Sequence, residues 1–157
     1  MDLTIRYAKS DELPRVNELR RAVSELHAKG RPDIFRPGFC EELQQRIYTL
    51  FDAPQYDVIV ACLGGEICGF AIVQYVDRPE SAYMRARRFY HIEEFGVDEK
   101  YRRHGVGTAL LTSCKAEAKR KGFDRLALDV WAFNEDAQQF CASADFQIYR
   151  CDLECKI

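Results

Sequence analysis

Three consecutive basic residues stand directly before two glycines near the middle of the chain: Arg102, Arg103 and His104 lead into Gly105 and Gly107. The apolar spacing that follows is helical, so the glycines lie at the start of a predicted helix. The first N–H groups of a helix are unpaired and lie at the positive end of its dipole, where they attract anions. Glycines let the backbone approach such an anion, and arginines add charge-assisted hydrogen bonds. The stretch therefore predicts a loop that binds a diphosphate; the plainer alternative is a glycine-entered helix with solvated arginines.

Two common phosphate-binding loops do not match this stretch. The P-loop needs the string G-x-x-x-x-G-K-[ST], which the chain lacks. The dinucleotide fingerprint G-x-G-x-x-G needs a third glycine where Leu110 stands. That fingerprint also follows its strand at once, whereas DEKYRRH separates strand and glycine here. These two classes of loop are therefore excluded.

The elements that position this loop follow from the hydrophobic period along the chain. Residues 3–8 alternate as a strand, and Ser10 or Asp11 caps a helix that ends at Gly30. The remaining predicted elements are a loop at 31–38, a second amphipathic helix from about Phe39 to Leu50, strands at 57–63, 67–76, 89–97, 125–133 and 151–157, a helix from the glycine loop to Gly122, and a short helix capped by Asn134. A tight hairpin at Gly64–Gly65 joins the second and third strands. The order β α α β β β α β α β describes one mixed α/β domain over residues 1–157.

Composition limits the partners and the location. A net charge of −2, with lysines and arginines clustered only locally, argues against a nucleic-acid partner. No window reaches the ~18 apolar residues of a membrane span, and the first residues lack a signal-peptide core, which indicates a cytoplasmic protein without a membrane partner. The cysteines include no C-x-x-C pair. We therefore expect reduced, mostly buried thiols, no metal site and no disulfide framework.

Two stretches together resemble a known family. RRHGVG (102–107) matches the R/Q-x-x-G-x-G/A loop of the GNAT superfamily, the acyl-CoA-dependent N-acetyltransferases. NEDAQQF (134–140), with Phe146 beyond it, is similar to the family's N-x-x-A-x-x-F-Y-x-x-x-G-F region, and the element order is also that of the family. The resemblance implies a GNAT-like central mixed sheet, α/β or α+β mixed, in which strands 4 and 5 (89–97 and 125–133) splay apart.

The resemblance also implies a cosubstrate, acetyl-CoA or coenzyme A, whose thioester lies in the gap between the splayed strands. The main chain at Phe95 and Val97 is expected to pair with the pantetheine arm, and Asn134 to orient that arm. The residues expected to bind the pyrophosphate are Arg102, Arg103, His104, Gly105, Val106, Gly107 and Thr108.

Acetylation of an amine requires a group that removes a proton from it, and two adjacent glutamates are the candidates. Glu93 and Glu94 lie in the strand beside the expected thioester, and neighbours in a strand point to opposite faces. Glu93 shares parity with Phe95 and Val97 and is preferred, unless a bulge exchanges the two. The alternative is that both are solvated edge charges. His91 is a lesser candidate.

The chain departs from the family pattern where a proton donor to the leaving thiolate is expected. Cys141 replaces the usual tyrosine, and Asp145 replaces the usual glycine. The Cys141 thiol could protonate the thiolate weakly, but we interpret it as an inert buried residue. In that case either another tyrosine such as Tyr149 donates the proton or the thiolate leaves unassisted. The missing tyrosine also leaves open a non-catalytic acyl-CoA-binding or regulatory module.

The function implied by the resemblance is transfer of an acetyl group from acetyl-CoA to a primary amine of a small molecule or peptide, by direct attack in a ternary complex. The acceptor site is expected among the first two helices, the loop at 31–38 and the chain end. His27 and His104 are interpreted as surface or loop residues. The aromatic residues that could line the acceptor site are Phe35, Tyr48, Phe51, Tyr83 and Trp131. The sequence names neither the acceptor nor the assembly, and a homodimer is one possibility.

Overall fold

The computed structural model describes residues 2–157 as a five-stranded sheet with helices on both faces. In chain order the elements are β1 (Leu3–Tyr7), α1 (Leu13–Gly30), α2 (Glu41–Asp52), β2 (Tyr56–Leu63), β3 (Glu66–Arg78), β4 (Arg87–Val97), α3 (Val106–Arg120), β5 (Leu126–Leu128) and α4 (Glu135–Ser143). Single 3-10 turns at Ser10–Glu12 and Glu99–Tyr101 lead into α1 and into the glycine loop. Within these residues, no helix combines the length and the apolar character needed to cross a bilayer.

The sheet keeps its strands in sequence order, β1-β2-β3-β4-β5, and only β4 and β5 run parallel. The hairpin between β2 and β3 turns at Gly64 and Gly65, whose φ angles are +61° and +83°. Glycine adopts such left-handed angles without a Cβ penalty, which is why this dipeptide makes the tight turn. The parallel β4–β5 pair needs a crossover, and α3 provides it. The predicted mixed α/β architecture is confirmed.

Two hydrophobic layers hold the helices to the sheet. On one face, Val16 of α1 and Ile47 of α2 pack with Phe70 of β3, all fully buried. On the other face, Leu110 and Cys114 of α3 are fully buried against the sheet. Burying a side chain of this size contributes roughly 1.5–3 kcal/mol, so the i, i+4 spacing along α3 decides which side of that helix meets the sheet.

A buried polar cluster anchors the end of α3 to the sheet. Asp57 of β2 accepts hydrogen bonds from the hydroxyls of Tyr75 at 2.7 Å and Tyr90 at 2.5 Å. Lys121, just beyond α3, donates to the Tyr75 hydroxyl at 2.5 Å and lies 3.4 Å from Asp57. Burial and the bond to Asp57 raise the pKa of Tyr90 far above its ordinary value, so its hydroxyl stays protonated. The cluster fixes the start of β4, the strand that carries the site.

Three predicted elements differ from the structure. The predicted cap at Ser10 or Asp11 begins a 3-10 turn, and α1 itself begins at Leu13 and ends, as predicted, at Gly30. The strand predicted at 125–133 is only Leu126–Leu128, because the chain beyond it leaves β4. The strand predicted at 151–157 is not formed, and within the described chain residues 146–157 contain neither helix nor strand.

The cysteines form no disulfide within residues 2–157, but the prediction that most of them are buried is wrong. Cys62, Cys68 and Cys114 are buried, Cys141 is half-buried, and Cys40, Cys151 and Cys155 are exposed. Burial raises the pKa of Cys114 to about 12, so it stays a thiol at neutral pH. Two of the exposed thiols belong to the segment whose alternation had predicted a strand, which faces solvent instead of a core.

Candidate active site

Strands β4 and β5 separate part-way along their length and leave an open strand edge. They pair only from Tyr90↔Leu126 to Ile92↔Leu128, whereas β4 continues to Val97. Within residues 2–157, no strand covers the β5 side of β4 beyond that point. The unpaired N–H and C=O groups of such an edge can hydrogen-bond an extended ligand as if it were a further strand. The predicted splay of these two strands is confirmed.

A β-bulge at Glu93 sets which groups face the open edge. In the pairing of β3 with β4, Ile72 is opposite Glu94 and Val73 is opposite Ile92, so Glu93 is the extra residue. The Tyr90 N–H donates to Arg125 O on the β5 side at 2.9 Å, whereas the Asp98 N–H donates to Cys68 O on the β3 side at 2.8 Å. In a regular strand, the N–H groups of residues an even number apart point to the same edge. Tyr90 and Asp98 are an even number apart but donate to opposite edges, so the bulge reverses the alternation of the N–H groups.

After the bulge, the backbone N–H groups of Phe95 and Val97 therefore face the open edge. Their side chains pack on the α3 side of the sheet, where the Phe95 ring lies 6.0 Å from the Phe140 ring of α4. Two donors from the backbone of one rigid strand, spaced two residues apart, suit an extended ligand that lies along β4.

The glycine loop presents a run of unpaired amides directly beyond this edge. Arg103 and Gly105 both adopt left-handed backbone angles, with φ of +67° and +76°. Along the described chain, the first amide after residue 102 to reach a loop or cap carbonyl is Ala109, which donates to Gly105 O at 3.0 Å. The amides of residues 103–108 are thus left for a ligand, at the N-terminus of the 15-residue helix α3. Such a concave row of N–H groups binds phosphate oxygens.

Some side chains of the loop are free to bind a ligand, and others support the loop. Arg102 and Arg103 are exposed, and neither pairs with an acidic group within residues 2–157. His104 turns its Nδ1 towards the carbonyl oxygens of Tyr101 at 3.2 Å and Arg102 at 3.0 Å. Because both partners are acceptors, Nδ1 carries the proton and supports the loop. Its Nε2 donates to a phosphate oxygen only when the imidazole carries a proton on both nitrogens.

Helix α4 packs against the first turn of α3 and explains the second glycine. A Cβ added at Gly107 would lie 3.0 Å from Cζ of Phe140, so a larger residue would push α4 away. Asn134 caps α4, with its Oδ1 accepting from the Ala137 N–H at 3.2 Å, as predicted. The side-chain NH2 group of Asn134 is then free to donate to a ligand. Val106 is buried beneath the loop, and Thr108 is exposed on it.

Glu94 is held in an ion pair beneath the sheet. Its two carboxylate oxygens accept from Nε and Nη2 of Arg20 at 3.0 and 3.2 Å. The Arg20 side chain is only 2% exposed, and it also donates to Leu43 O at 2.7 Å and to Asn17 Oδ1 at 2.8 Å. Glu94 thus neutralises a buried cation, which removing the carboxylate would leave unpaired.

Glu93 lies on the same side of the sheet but is held more loosely. Its carboxylate is 3.3 Å from Nη2 of Arg46 in α2 and 3.4 Å from the hydroxyl of Tyr56. The prediction that the two glutamates point to opposite faces is wrong, because the bulge turns both towards α1 and α2. The parity of Glu93 with Phe95 and Val97 is lost for the same reason. Of the two carboxylates, Glu93 has the weaker partners.

An aromatic cluster borders the gap on the α1 side. Trp131 and Phe133, on the chain that leaves β5, lie with ring centroids 6.4 Å apart. Phe35, from the loop after α1, meets Trp131 edge-on at 4.9 Å. A Cβ at Gly30 would lie 2.2 Å from the Phe133 ring, so this glycine lets the end of α1 approach the cluster. Phe35 and Trp131 were predicted acceptor residues, and the fold brings them together.

His27 belongs to this cluster. Its ring stacks on Phe35 at 5.1 Å and meets Phe133 edge-on at 6.0 Å. Burial lowers the pKa of His27, although the charge of Glu94 opposes the shift. The imidazole is therefore neutral at pH 7 and can accept a proton. Its interpretation as a surface residue is wrong; only its position one turn before Gly30 could have suggested otherwise.

The open β4 edge leads into the amide-lined loop, against which α4 packs. A sequence model described as the acetyltransferase (GNAT) family matches residues 5–146. The chain belongs to the GNAT family. None of the curated proteins compared with it matches.

Solved structures share the GNAT fold of this chain. A tetramutant of the BH1408 protein from Bacillus halodurans is 27% identical, with a TM-score of 0.93 over 98% of this chain and 99% of that one. The aminoglycoside acetyltransferase meta-AAC0020, from an uncultured soil metagenomic sample and in complex with sisomicin, is 20% identical, with a TM-score of 0.68 over 98% and 97%. The aminoglycoside N-acetyltransferase AAC(6')-Iy, in complex with CoA, is 16% identical, with a TM-score of 0.76 over 99% and 95%. The last two, at such identities, show the shared fold.

Neither Tyr149 nor Cys141 is suited to donate a proton to the leaving thiolate. The Tyr149 hydroxyl lies 3.4 Å from Nη2 of Arg87 at the start of β4. Six residues of strand, at ~3.3 Å each, separate Arg87 from the open edge, so the hypothesis that Tyr149 serves as the acid is wrong. Cys141 of α4 is half-buried, and burial raises the pKa of its thiol. It is a weaker acid than an ordinary cysteine.

The other predicted acceptor residues lie apart from the gap. Phe51 packs into the core beneath α1 and α2, and Tyr83 is 89% exposed in the connection before β4. Tyr48 borders a separate cleft of about 280 Å³ between α1 and α2. Across residues 2–157, no three His, Cys, Asp or Glu side chains gather in a group that could hold a metal ion.

Proposed function

We propose that this chain is an acetyl-CoA-dependent N-acetyltransferase that acetylates a primary amine of a small molecule or a peptide by direct attack in a ternary complex. The observation that carries the proposal is the continuity between the open edge of β4 and the amides of residues 103–108. One end of this surface suits an extended amide-bearing arm, and the other suits a diphosphate. Coenzyme A joins those two chemical groups in one molecule.

Groups of this chain bind and orient the acetyl donor. The loop amides and the guanidinium groups of Arg102 and Arg103 hold the pyrophosphate, whose charge they complement. The amides of Phe95 and Val97 hold the arm, and one of them donates to the thioester oxygen as that oxygen gains charge. The side-chain NH2 group of Asn134 orients the pantetheine arm. The thioester supplies an activated acyl carbon, to which the amine nitrogen bonds as the C–S bond breaks.

The acceptor amine must lose its proton, because a free alkylamine is protonated at neutral pH. Glu93 takes that role, directly or through a water, since it is the bulged residue next to the open edge and its contacts to Arg46 and Tyr56 are long. His27 is the alternative base, because its neutral imidazole lies in the aromatic cluster at the mouth of the gap. Glu94 has a structural role as the partner of Arg20.

The electron pair of the broken C–S bond goes to sulfur. A thiol with a pKa of ~8.5 is an acceptable leaving group without an acid, so the thiolate takes its proton from solvent. The raised pKa of Cys141 agrees with an inert thiol at that position.

The acceptor enters past Phe35, Trp131 and Phe133. Aromatic faces attract cationic ammonium groups and apolar carbon alike. The exposed Asp129, directly after β5 and 3.4 Å from His91 of β4, adds a negative charge on the chain that leads to these aromatic residues. These groups favour a cationic amine over an acidic acceptor.

A screen of amine acceptors tests the proposal. Acetyl-CoA is supplied with a panel of aminoglycosides, polyamines, arylalkylamines and short peptides, and thiol release is measured together with the acetylated product by mass spectrometry. Arg102→Ala with Gly105→Val is expected to abolish both turnover and coenzyme A binding. The matched control is Arg78→Ala with Gly65→Val, an exposed arginine and a left-handed glycine away from the site. Binding without turnover over the whole panel would favour the acyl-CoA-binding module, and unaltered binding by the first variant would refute the loop assignment.

The base is tested by single substitutions on an acceptor that the screen identifies. Glu93→Gln is expected to lower kcat at least tenfold with little change in coenzyme A affinity, because Gln keeps the shape but accepts no proton. His27→Gln serves as the comparison. If only the His27 variant loses activity, the base is the imidazole; if neither does, both are excluded from the proton transfer.

A further inference from the structure

A cleft of about 280 Å³, here named the α1–α2 cleft, lies between these two helices and apart from the open β4 edge. The residues that line it are not among the groups proposed to bind acetyl-CoA or the acceptor amine. Pro14, Phe39 and Tyr48 give it apolar surface, and Glu18 and Arg21 are its charged residues. The volume is close to the lower end for ligand pockets, so the cleft suits a small molecule.

The unpaired charge of this cleft is the guanidinium of Arg21. It lies 5.4 Å from the centroid of the Phe39 ring, belongs to an exposed residue, and forms no ion pair within residues 2–157. Glu18, one turn earlier on α1, is already neutralised by Nη1 of Arg15 at 2.8 Å. The free charge of the cleft is therefore positive and favours an anion. A planar guanidinium binds a carboxylate well, through two parallel hydrogen bonds.

The other walls of the cleft suit an apolar group attached to that carboxylate. Pro14 and Arg21 are seven residues apart on α1, so they lie on one face, ~10 Å apart along the helix. Between them and α2 lie the buried Phe39 and the side chain of Tyr48, which is 38% exposed. Aromatic and proline side chains of this kind pack against an apolar ring of a ligand. The cleft thus fits a carboxylic acid whose body is about the size of one aromatic ring.

Glu18 links the cleft to the glycine loop. While Nη1 of Arg15 binds Glu18, Nη2 of the same side chain donates to Oδ2 of Asp98 at 2.6 Å. Asp98 comes directly after β4 and caps the 3-10 turn that leads into the glycine loop, where it accepts from the Lys100 N–H at 3.1 Å. One arginine side chain therefore joins a wall of the cleft to the start of the loop.

Asn17 links the cleft to the bulged part of β4. Asn17 also lines the cleft, and its Oδ1 accepts from Nη1 of Arg20 at 2.8 Å. The Arg20 guanidinium lies 5.2 Å from the centroid of the Phe39 ring and binds both carboxylate oxygens of Glu94. Two links from one helix thus connect the cleft with β4 and with the loop that follows it.

We propose that the α1–α2 cleft is a regulatory site for a small carboxylic acid with an aromatic ring, and that its occupation strengthens coenzyme A binding. An acid that fills the cleft holds Asn17 and Glu18 in place, and with them the two arginines that position β4 and the loop. Coenzyme A then binds to a surface that is already ordered, which gives positive coupling without a large movement. The regulated surface is the acetyl-CoA site of the proposed function, so the coupling rests on that function.

Isothermal titration calorimetry with the full chain tests the site itself. Benzoate, phenylacetate and hydrocinnamate are the probes, and phenethyl alcohol is the uncharged control. At least one acid is expected to bind, and the alcohol at least tenfold more weakly, because it offers the guanidinium no carboxylate. Arg21→Gln should weaken binding of that acid at least tenfold, whereas Arg78→Gln, at an exposed arginine away from the cleft, should leave it unchanged. Absence of binding by all three acids, or equal binding to wild type and Arg21→Gln, would overturn the proposal.

Titrations of coenzyme A with and without the acid measure the coupling. The acid is expected to lower the Kd of coenzyme A about fivefold, and coenzyme A should lower the Kd of the acid by the same factor, because linkage is reciprocal. In the double variant Asn17→Ala with Glu18→Gln, which removes both links, that factor should fall to about one. A factor of one in the wild type, or an unchanged factor in the double variant, would contradict the regulatory role.

Binding of the acid and binding of coenzyme A are measured separately, so the two proposals can fail separately. Coenzyme A binding without binding of any acid refutes the regulatory site alone. Acid binding that depends on Arg21, together with no coenzyme A binding, refutes the coupling and the proposed function but not the cleft as a carboxylate site.

Discussion

Replacing Gly105 by alanine separates the folding role of this glycine from its binding role, because Gly65 provides a matched control. Both glycines are left-handed, with φ of +76° and +83°, and a Cβ added at either one meets no atom within 4 Å. The two substitutions therefore carry the same backbone penalty and no steric clash within the chain. They differ in place, since Gly105 begins the helix whose first amides form the loop and Gly65 is in the β2–β3 hairpin.

The expected magnitudes follow from that geometry. An L-residue in the left-handed region costs about 1–2 kcal/mol, so each variant should lose about 1 kcal/mol of stability and melt roughly 2–4 °C lower than the wild type. Coenzyme A at 100 times its Kd should stabilise the wild type by about 2.7 kcal/mol. If a methyl group at residue 105 weakens binding tenfold, the same concentration stabilises that variant by only about 1.4 kcal/mol.

Differential scanning fluorimetry with and without coenzyme A measures both effects. Without ligand the two variants should melt together. With ligand, Gly65→Ala should gain as many degrees as the wild type, and Gly105→Ala about half as many. Equal gains for both variants would refute the assignment of the loop as the pyrophosphate site, whatever their stabilities.

Three further predictions concern the groups around this site. Glu94→Gln should lower the free energy of unfolding by about 3 kcal/mol, because it leaves the buried Arg20 without a countercharge. Urea titration measures this loss, and an unchanged free energy of unfolding would contradict the prediction. Cys141→Ser should leave kcat within about twofold, and a tenfold loss with unchanged coenzyme A affinity would identify the thiol as an acid after all. Hydrogen bonds from Arg6 lower the pKa of Glu12 from 4.5 to about 2, so the stability that this carboxylate contributes is present above pH 4.5 and is lost as the pH falls towards 2. In Glu12→Gln the melting temperature should depend less on pH over that interval. Melting temperatures that fall with pH equally in variant and wild type would contradict this.

The sequence predicted the parts of the site whose signal is local. The start of a helix at the glycine loop and the asparagine cap on α4 are each determined within a few residues, and both occur as predicted. The β2–β3 hairpin is also determined locally, because Gly64 and Gly65 adopt the left-handed angles of a tight turn without a Cβ penalty.

What the sequence did not predict depends on distant partners. The bulge at Glu93 exists only as a mismatch between two strands, so counting along β4 alone could not reveal which residues face the gap. His27 reaches the site because Gly30 lets α1 meet Phe133, a contact more than a hundred residues away along the chain. Residues 151–157 have the pattern of a strand but no partner in the same chain, and alternation without a hydrogen-bonded neighbour gives no strand.

The bulge has two effects that together explain why both glutamates are needed at one point in β4. It turns the amides of Phe95 and Val97 towards the gap, and it turns both carboxylates towards α1 and α2. Two adjacent carboxylates on one side repel each other, and a buried cation offsets that repulsion. Arg20 binds Glu94 through two hydrogen bonds, which leaves Glu93 as the single carboxylate with weak partners beside the edge that presents the amides. The ion pair with Arg20 thus gives Glu94 a structural role and leaves Glu93 as the candidate base.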